Sequence, residues 1–176
     1  PTSEELVDLV DADDVVLEVV TRAEVRARGA AARHRACYVA VLTSAGELVV
    51  HRRAEWKDVY PGYWDVCFGG VLGAGEAWDD AAHRELQEEA GIDAPLELLG
   101  ISSWECADAK LNGRVYLARS DGPFPCPDGE VVEVARFSRT PPGAALAPWE
   151  PWFVRPGNVA TEYRVVQQDG ATVFAY

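Results

Sequence analysis

The chain has 176 residues, 48% of them hydrophobic and 26% charged, the make-up of one globular domain able to bury about 70% of the surface its unfolded chain exposes. Sixteen basic residues against 29 acidic give a net charge of −13, and with no basic stripe in view this excludes a nucleic-acid binder. No apolar run reaches the length of a membrane span and the amino end has no signal-peptide pattern, so a protein without membrane attachment, working in the cytoplasm, is expected.

In chain order, Leu6 to Val10 and Val15 to Val20 are apolar runs separated by Asp11-Ala12-Asp13-Asp14, a pattern that predicts an amino-terminal hairpin with an acidic turn. Thr21-Arg22-Ala23-Glu24 reads as a capping box, which starts a helix over Arg22 to Arg28 that Gly29 stops. Cys37 to Thr43 and Glu47 to Arg53 form a second hairpin around Ala45-Gly46, and Trp64 to Phe68 is a strand. Leu96 to Glu105 and Arg114 to Arg119 are expected to pair around the turn dipeptide Asn112-Gly113. Val131 to Ser138 is a further strand. Prolines at 141, 142, 148, 151 and 156 make residues 140–157 loop-rich. A helix over Val159 to Gln168 and a strand-like tail from Ala171 to Tyr176 close the chain. The organisation is therefore one domain over 1–176: a hairpin and short helix in 1–30, a core in 33–138 and a carboxyl segment in 139–176.

Cys37, Cys67, Cys106 and Cys126 form no C-x-x-C pair, which leaves zinc and redox motifs unsupported. Cys37 and Cys67 fall in apolar strand segments and are expected in the core. Trp104, Tyr116, Trp149 and Trp152 have the chemistry to stack on a nucleobase and equally that of packing residues.

The chemistry concentrates in residues 70–92, GVLGAGEAWDDAAHRELQEEAGI. Asp79 to Ala90 lacks Gly and Pro, and Ala81, Ala82, Leu86 and Ala90 recur at helical spacing, so this is a helix with a narrow inner stripe. Asp79 and Asp80 suit its start, and Gly91 suits a left-handed end. His83 is expected at its surface. At about 100° per residue, Glu85 lies about 40° from Glu89 and about 60° from Glu88, so the three carboxylates share one side. Glu88 and Glu89 also sit in the last turn, where the helix dipole disfavours anions. Mg²⁺ or Mn²⁺, which take carboxylate oxygens, would reverse both penalties. Arg84 is placed to pair with Glu88 or to reach back to Glu76.

With Gly70, Glu76, Arg84-Glu85, Leu86, Glu88-Glu89, Gly91 and Ile92 at these spacings, the stretch resembles the Nudix box. That resemblance implies an α+β fold, a Nudix-type α/β/α sandwich with a central mixed sheet. It implies a pyrophosphohydrolase that cleaves a small-molecule nucleoside diphosphate-linked substrate. Glu85, Glu88 and Glu89 would hold Mg²⁺ (or Mn²⁺), joined by the Gly69 carbonyl. Glu85 or Glu89 would serve as general base, and Arg84 with Glu76 would be the structural ion pair. A further carboxylate facing the box would come from Glu130 or Glu133, either of which can equally be an edge-strand charge. The assembly implied is a homodimer.

Residues 34–76 also resemble the branch related to isopentenyl diphosphate isomerase, through His34-Arg35-Ala36, Arg52-Arg53, Lys57 and Pro61-Gly62 before Trp64-Asp65. Gly69 and Val71 stand where isomerases keep a catalytic cysteine and a metal-binding histidine, Cys67 is two positions from the first slot, and only His34 matches. Hydrolysis is expected over isomerisation; the alternatives are isomerase-like activity and a non-catalytic nucleotide-binding module. Because the net charge repels a phosphate substrate, a local basic pocket is required, with Arg52, Arg53 and Lys57 as substrate-binding candidates and Arg33 and Arg35 beside them.

Overall fold

The apolar runs at the amino end pair as their pattern demands. In the computed structural model, which describes residues 4–57, 60–106, 109–137, 164–168 and 171–175, β1 (Leu6–Val10) and β2 (Val16–Thr21) form an antiparallel hairpin. The capping box then forms in full: the Thr21 hydroxyl accepts from Glu24 N at 3.2 Å, and Glu24 Oε2 accepts from Thr21 N at 2.9 Å. It starts α1 (Arg22–Arg28), whose end at Gly29 has a positive φ.

The core is an eight-stranded mixed sheet. Its spine, β3 (Arg33–Leu42), pairs in parallel with β7 (Lys110–Arg119) along its full length, from Arg33 opposite Lys110 to Leu42 opposite Arg119. Parallel neighbours need a long crossover, and here it carries α2 (Trp78–Glu85). The other edge of β3 takes β1 at Leu9 opposite His34, and β4 (Leu48–Arg53) at Val41 opposite Val49. β5 (Trp64–Asp65) and β8 (Val131–Phe137) flank β4, and β6 (Glu97–Glu105) is antiparallel to β7.

Ala81, Ala82, Leu86 and Ala90 are fully buried against Cys37, Val39, Val41, Phe68 and Tyr116. Small side chains on the helix let its backbone approach the sheet, as the narrow inner stripe predicts. The opposite face of the sheet buries Ala40, Val50, Val66, Cys67 and Leu117. The α+β class, the mixed sheet and the amino-terminal hairpin are all as expected.

Two expectations are corrected. Asn112 and Gly113 are no turn: they lie inside β7, opposite Ser103 and Ser102. The Asn112 amide is occupied elsewhere, donating to Asp11 O at 2.9 Å, and a side chain at 113 would meet Ser102 Oγ at 2.4 Å. The hairpin instead closes where Cys106 N donates to Ala109 O. The helix expected over 159–168 is also overturned for its described part. Arg164–Gln168 is strand β9, paired with β10 (Ala171–Ala175) so that Gln168 faces Ala171. Val165-Val166 favours the strand, and Asp169-Gly170 between the two runs is a hairpin dipeptide. The expected loop-rich stretch over 140–157 lies outside the described residues.

Candidate active site

The loop entering the box helix is zipped onto β3. Val39 N and Cys37 N donate to the carbonyls of Phe68 and Gly70, at 2.6 and 2.9 Å. Between them Gly69 has φ 153°, and a Cβ there would stand 2.1 Å from Cys37 O. Only glycine fits, and its N–H is left to donate to Glu89 Oε2 at 2.9 Å. Gly70 is equally tight, because Glu85 Oε1 lies 2.6 Å from where its Cβ would be. The two glycines thus bring backbone directly against the two inner carboxylates of the box.

The helix changes pitch at this point. Leu86–Ala90 is a π-turn, which Gly91 ends in the left-handed region at φ 71°. Such wide turns re-aim side chains and cluster at functional sites. Here Glu89 is turned inward to 3% exposure, whereas the Glu88 side chain stays 53% exposed.

Arg84 ties the carboxylates together. It binds Glu76 in a two-pronged contact, Nε to Oε1 at 2.8 Å and Nη2 to Oε2 at 2.9 Å, and Glu76 in turn accepts from Gly73 N at 2.8 Å. Nη1 donates to Glu85 at 2.7 Å and to Glu88 at 3.1 Å. The Arg84 contact holds the Glu76 carboxyl below its usual range. Burial does the reverse to the inner pair. It raises Glu85 against the pull of Arg84, and pushes Glu89 up to about 8 against the Gly69 N–H, with Glu85 adding repulsion.

Two crowded, desolvated carboxylates pushed towards neutrality are the donor set that a hard divalent cation fits. Among the described residues no three His, Cys, Asp or Glu side chains converge on one point. Arg84 draws three of the carboxylates to itself, and Glu89 turns to the Gly69 amide.

Of the substrate-binding candidates, Lys57 is the one brought to the box. It is ion-paired with Glu130 and lies within electrostatic reach of Glu89, Asp128 and Glu85, while burial lowers its pKa. Arg53 stands close by, 3.8 Å from Asp65 and within reach of Lys57. Arg52 is held by Glu133 at 3.1 Å, across the β4–β8 pairing, and by Glu55 at 3.6 Å, just beyond the end of β4. The two candidate extra carboxylates therefore separate: Glu130 sits at the site through Lys57, and Glu133 is a cross-strand partner of Arg52. Arg35 is committed to Asp14 and Asp8, and Arg33 to Glu105, Ser103 and Asn112.

Asp128 escaped the sequence reading because Pro127-Asp128-Gly129 has the composition of an ordinary turn. It nevertheless faces Lys57 and Glu88, and burial raises its pKa. Tyr116 is no base-stacking residue: it is buried, and its hydroxyl donates to Asp79 at 2.7 Å. Trp104 is exposed on β6, and Trp149 and Trp152 lie outside the described residues. His83 is at the surface beside Asp93, as expected.

A family model described as the NUDIX domain matches residues 32–155. Over 136 residues the chain is 43% identical to the uncharacterized Nudix hydrolase PA4841 of Pseudomonas aeruginosa, covering 77% of this chain and 79% of that one. The uncharacterized Nudix hydrolase YfcD of Escherichia coli is 37% identical over 133 residues, or 75% of this chain and 73% of its own. Among solved structures, DR0079 of Deinococcus radiodurans matches with a TM-score of 0.66 at 24% identity, across 76% of this chain and 83% of that chain, a likeness of fold. With the box complete in sequence and seated between sheet and loop as described, the chain belongs to the Nudix family and is a Nudix pyrophosphohydrolase.

Proposed function

We propose that the chain hydrolyses a diphosphate linkage in a small molecule bearing a nucleoside diphosphate, with Mg²⁺ or Mn²⁺ as cofactor. The reading rests on Glu85 and Glu89, two buried carboxylates packed against Gly70 and Gly69 with Lys57 in electrostatic reach. Glu85, Glu88 and Glu89, with the Gly69 carbonyl, would hold the cation. When bound, the cation supplies polarisation of the diphosphate oxygens and a lowered pKa for the attacking water. Arg84 and Glu76 fix the helix to the glycine loop. Lys57 and Arg53 neutralise charge on the departing phosphate, Lys57 exchanging Glu130 for it. Glu85 or Glu89 receives the proton of the attacking water.

By ancestry we place the chain in the branch resembling isopentenyl diphosphate isomerase, on His34-Arg35-Ala36, Arg52-Arg53 and Lys57, and by activity outside it. A cysteine at 69 is sterically barred by Cys37 O, and Cys67 packs with Ala40 and Val50 on the sheet face away from the box helix. Among the described residues no helix is long and apolar enough to cross a membrane. The four cysteines are free, which supports a reducing compartment, the cytoplasm, as the place of action.

Glu85→Gln and Glu89→Gln proteins should keep the wild-type circular dichroism and lose about 100-fold or more of kcat on nucleoside diphosphate-linked substrates with Mg²⁺. The wild type given isopentenyl diphosphate should leave its double bond in place. Undiminished turnover in both variants would sink the hydrolase reading.

A further inference from the structure

The family match begins at residue 32, yet the segment before it is built into the glycine loop of the box. Gly73 to Glu76 is a tight turn, closed where Glu76 N donates to Gly73 O at 3.1 Å, with Gly75 at φ 72°. The two middle N–H groups of such a turn find no partner within it. Here β1 takes both: Ala74 N donates to Leu6 O at 2.8 Å, and Gly75 N donates to Asp8 Oδ2 at 2.9 Å. Just before the turn, Val71 packs onto the small core that Val7, Leu9, Val20, Val25 and Ala32 form.

Asp8 lies on β1 between the core residues Val7 and Leu9, and a carboxylate that is 6% exposed needs partners. It has the Gly75 N–H and the Arg35 guanidinium, the latter at 3.4 Å. Arg35 is itself fixed, its Nε and Nη2 donating to Oδ1 and the carbonyl of Asp14, each at 2.8 Å. The negative charge of Asp8 strengthens its bond to the loop N–H. From this anchor a series of hydrogen bonds runs to the box carboxylates. Gly73 N donates to Glu76 Oε2 at 2.8 Å, and Glu76 binds Arg84 through both oxygens, at 2.8 and 2.9 Å. Arg84 Nη1 then donates to Glu85 at 2.7 Å and to Glu88 at 3.1 Å. Because one rigid planar fork serves all three carboxylates, a shift of Glu76 turns the donors that Glu85 and Glu88 meet.

We infer that Asp8 is a positioning residue for the cation site. It pins Gly75, and through the Gly73–Glu76 turn and Arg84 it sets where Glu85 and Glu88 stand. The inference rests on the proposed function for the cation those carboxylates hold. It makes the amino-terminal hairpin part of the catalytic unit, although the hairpin lies outside the matched domain.

The test is titration of Mn²⁺ without substrate, read from the electron paramagnetic resonance signal of the free ion. The proteins are the wild type, Asp8→Ala, Asp8→Asn and Thr21→Ala. Loss of an outer partner of metal ligands should weaken Mn²⁺ binding about 10-fold in Asp8→Ala. The loss should be smaller in Asp8→Asn, which keeps an oxygen for Gly75 N. Thr21→Ala removes the cap of α1 and leaves the loop alone, so its melting temperature should fall while its Mn²⁺ affinity stays at the wild-type value. On a hydrolysed substrate at saturating Mn²⁺, the Asp8 defect should fall on kcat, with KM within about 3-fold. Wild-type Mn²⁺ affinity in Asp8→Ala would overturn the inference, and so would an equal loss in Thr21→Ala, which would show general loosening. Should Asp8→Ala not fold, unchanged affinity in Asp8→Asn would overturn it. Those outcomes leave the hydrolase reading standing, whereas a wild type that takes up no Mn²⁺ would remove the cation site and this inference together.

Discussion

His51 shows how a single side chain behind the site links acidity to folding. It is 1% exposed on β4, stacks on Phe68 with ring centroids 4.4 Å apart, and among the described residues its Nδ1 has no hydrogen-bond partner. Burial pushes its pKa down to about 4 from an ordinary 6.5. A histidine with a depressed pKa binds fewer protons folded than unfolded between those values, so stability rises with pH across that window and is lost on acidification below about 6.5. At pH 5 the loss is on the order of 1–2 kcal/mol. His51→Phe keeps a ring against Phe68 and removes the titration. Its melting temperature should therefore fall less than the wild type's between pH 7 and pH 5. Equal drops in both proteins would show that acid sensitivity arises elsewhere. Phe68 is next to Gly69, so the packing that excludes water from His51 also backs the glycine that binds Glu89.

At the scale of elements, the π-turn is where sequence and structure part most instructively. Spacing on a regular helix puts Glu85, Glu88 and Glu89 on one side, whereas among the described residues no three such side chains converge on one point. The wide turn then distinguishes them by depth, burying Glu89 and leaving Glu88 in solvent. Glutamates carry no local signal for a change of pitch, so that depth was not legible. The end of the turn was, because Gly91 sits where a left-handed residue is required. A methyl at 91 would be strained at φ 71° and would meet Pro125 Cγ at 2.4 Å. Gly91→Ala should cost on the order of 1–3 kcal/mol of stability by urea unfolding. It should also reduce turnover by re-aiming Glu89. A fully stable, fully active variant would show that Pro125 yields and the turn does not matter.

The same contrast runs through the other elements. The capping box and the Ala81, Ala82, Leu86 stripe were readable because propensity and pattern agree with the tertiary contacts. Asn112-Gly113 was misread because turn chemistry is local, whereas Asp11 and Ser102 act on those residues from distant parts of the chain. The strand at Arg164–Gln168 was hidden by an expected terminal helix, although Asp169-Gly170 was in view. Asp128 comes within electrostatic reach of Lys57 and Glu88 only through the fold, and spacing along the chain cannot report that.

For the whole molecule, the decisive quantity is a net charge of −13 acting on a polyanionic substrate. Outside the site that field repels a diphosphate and attracts a divalent cation, so salt should act on the two in opposite directions. Screening lengths shrink from about 30 Å at 0.01 M salt to about 10 Å at 0.1 M, which covers the distance from the acidic surface to an approaching substrate. Lys57, which lies within electrostatic reach of Glu85 and Glu89, is partly buried and is screened far less than the surface. With Mg²⁺ kept saturating, KM should therefore fall about 2- to 5-fold as KCl rises from 10 to 150 mM, while kcat holds. At low substrate conversion, the Mg²⁺ needed for half-maximal rate should rise over the same interval. On the proposed function, the acidic surface would gather the cation and the local basic residues would hold the anion that the surface repels. A KM that climbs steadily from the lowest salt would mean that the substrate feels only the local cations, and that the net charge has no part in its capture.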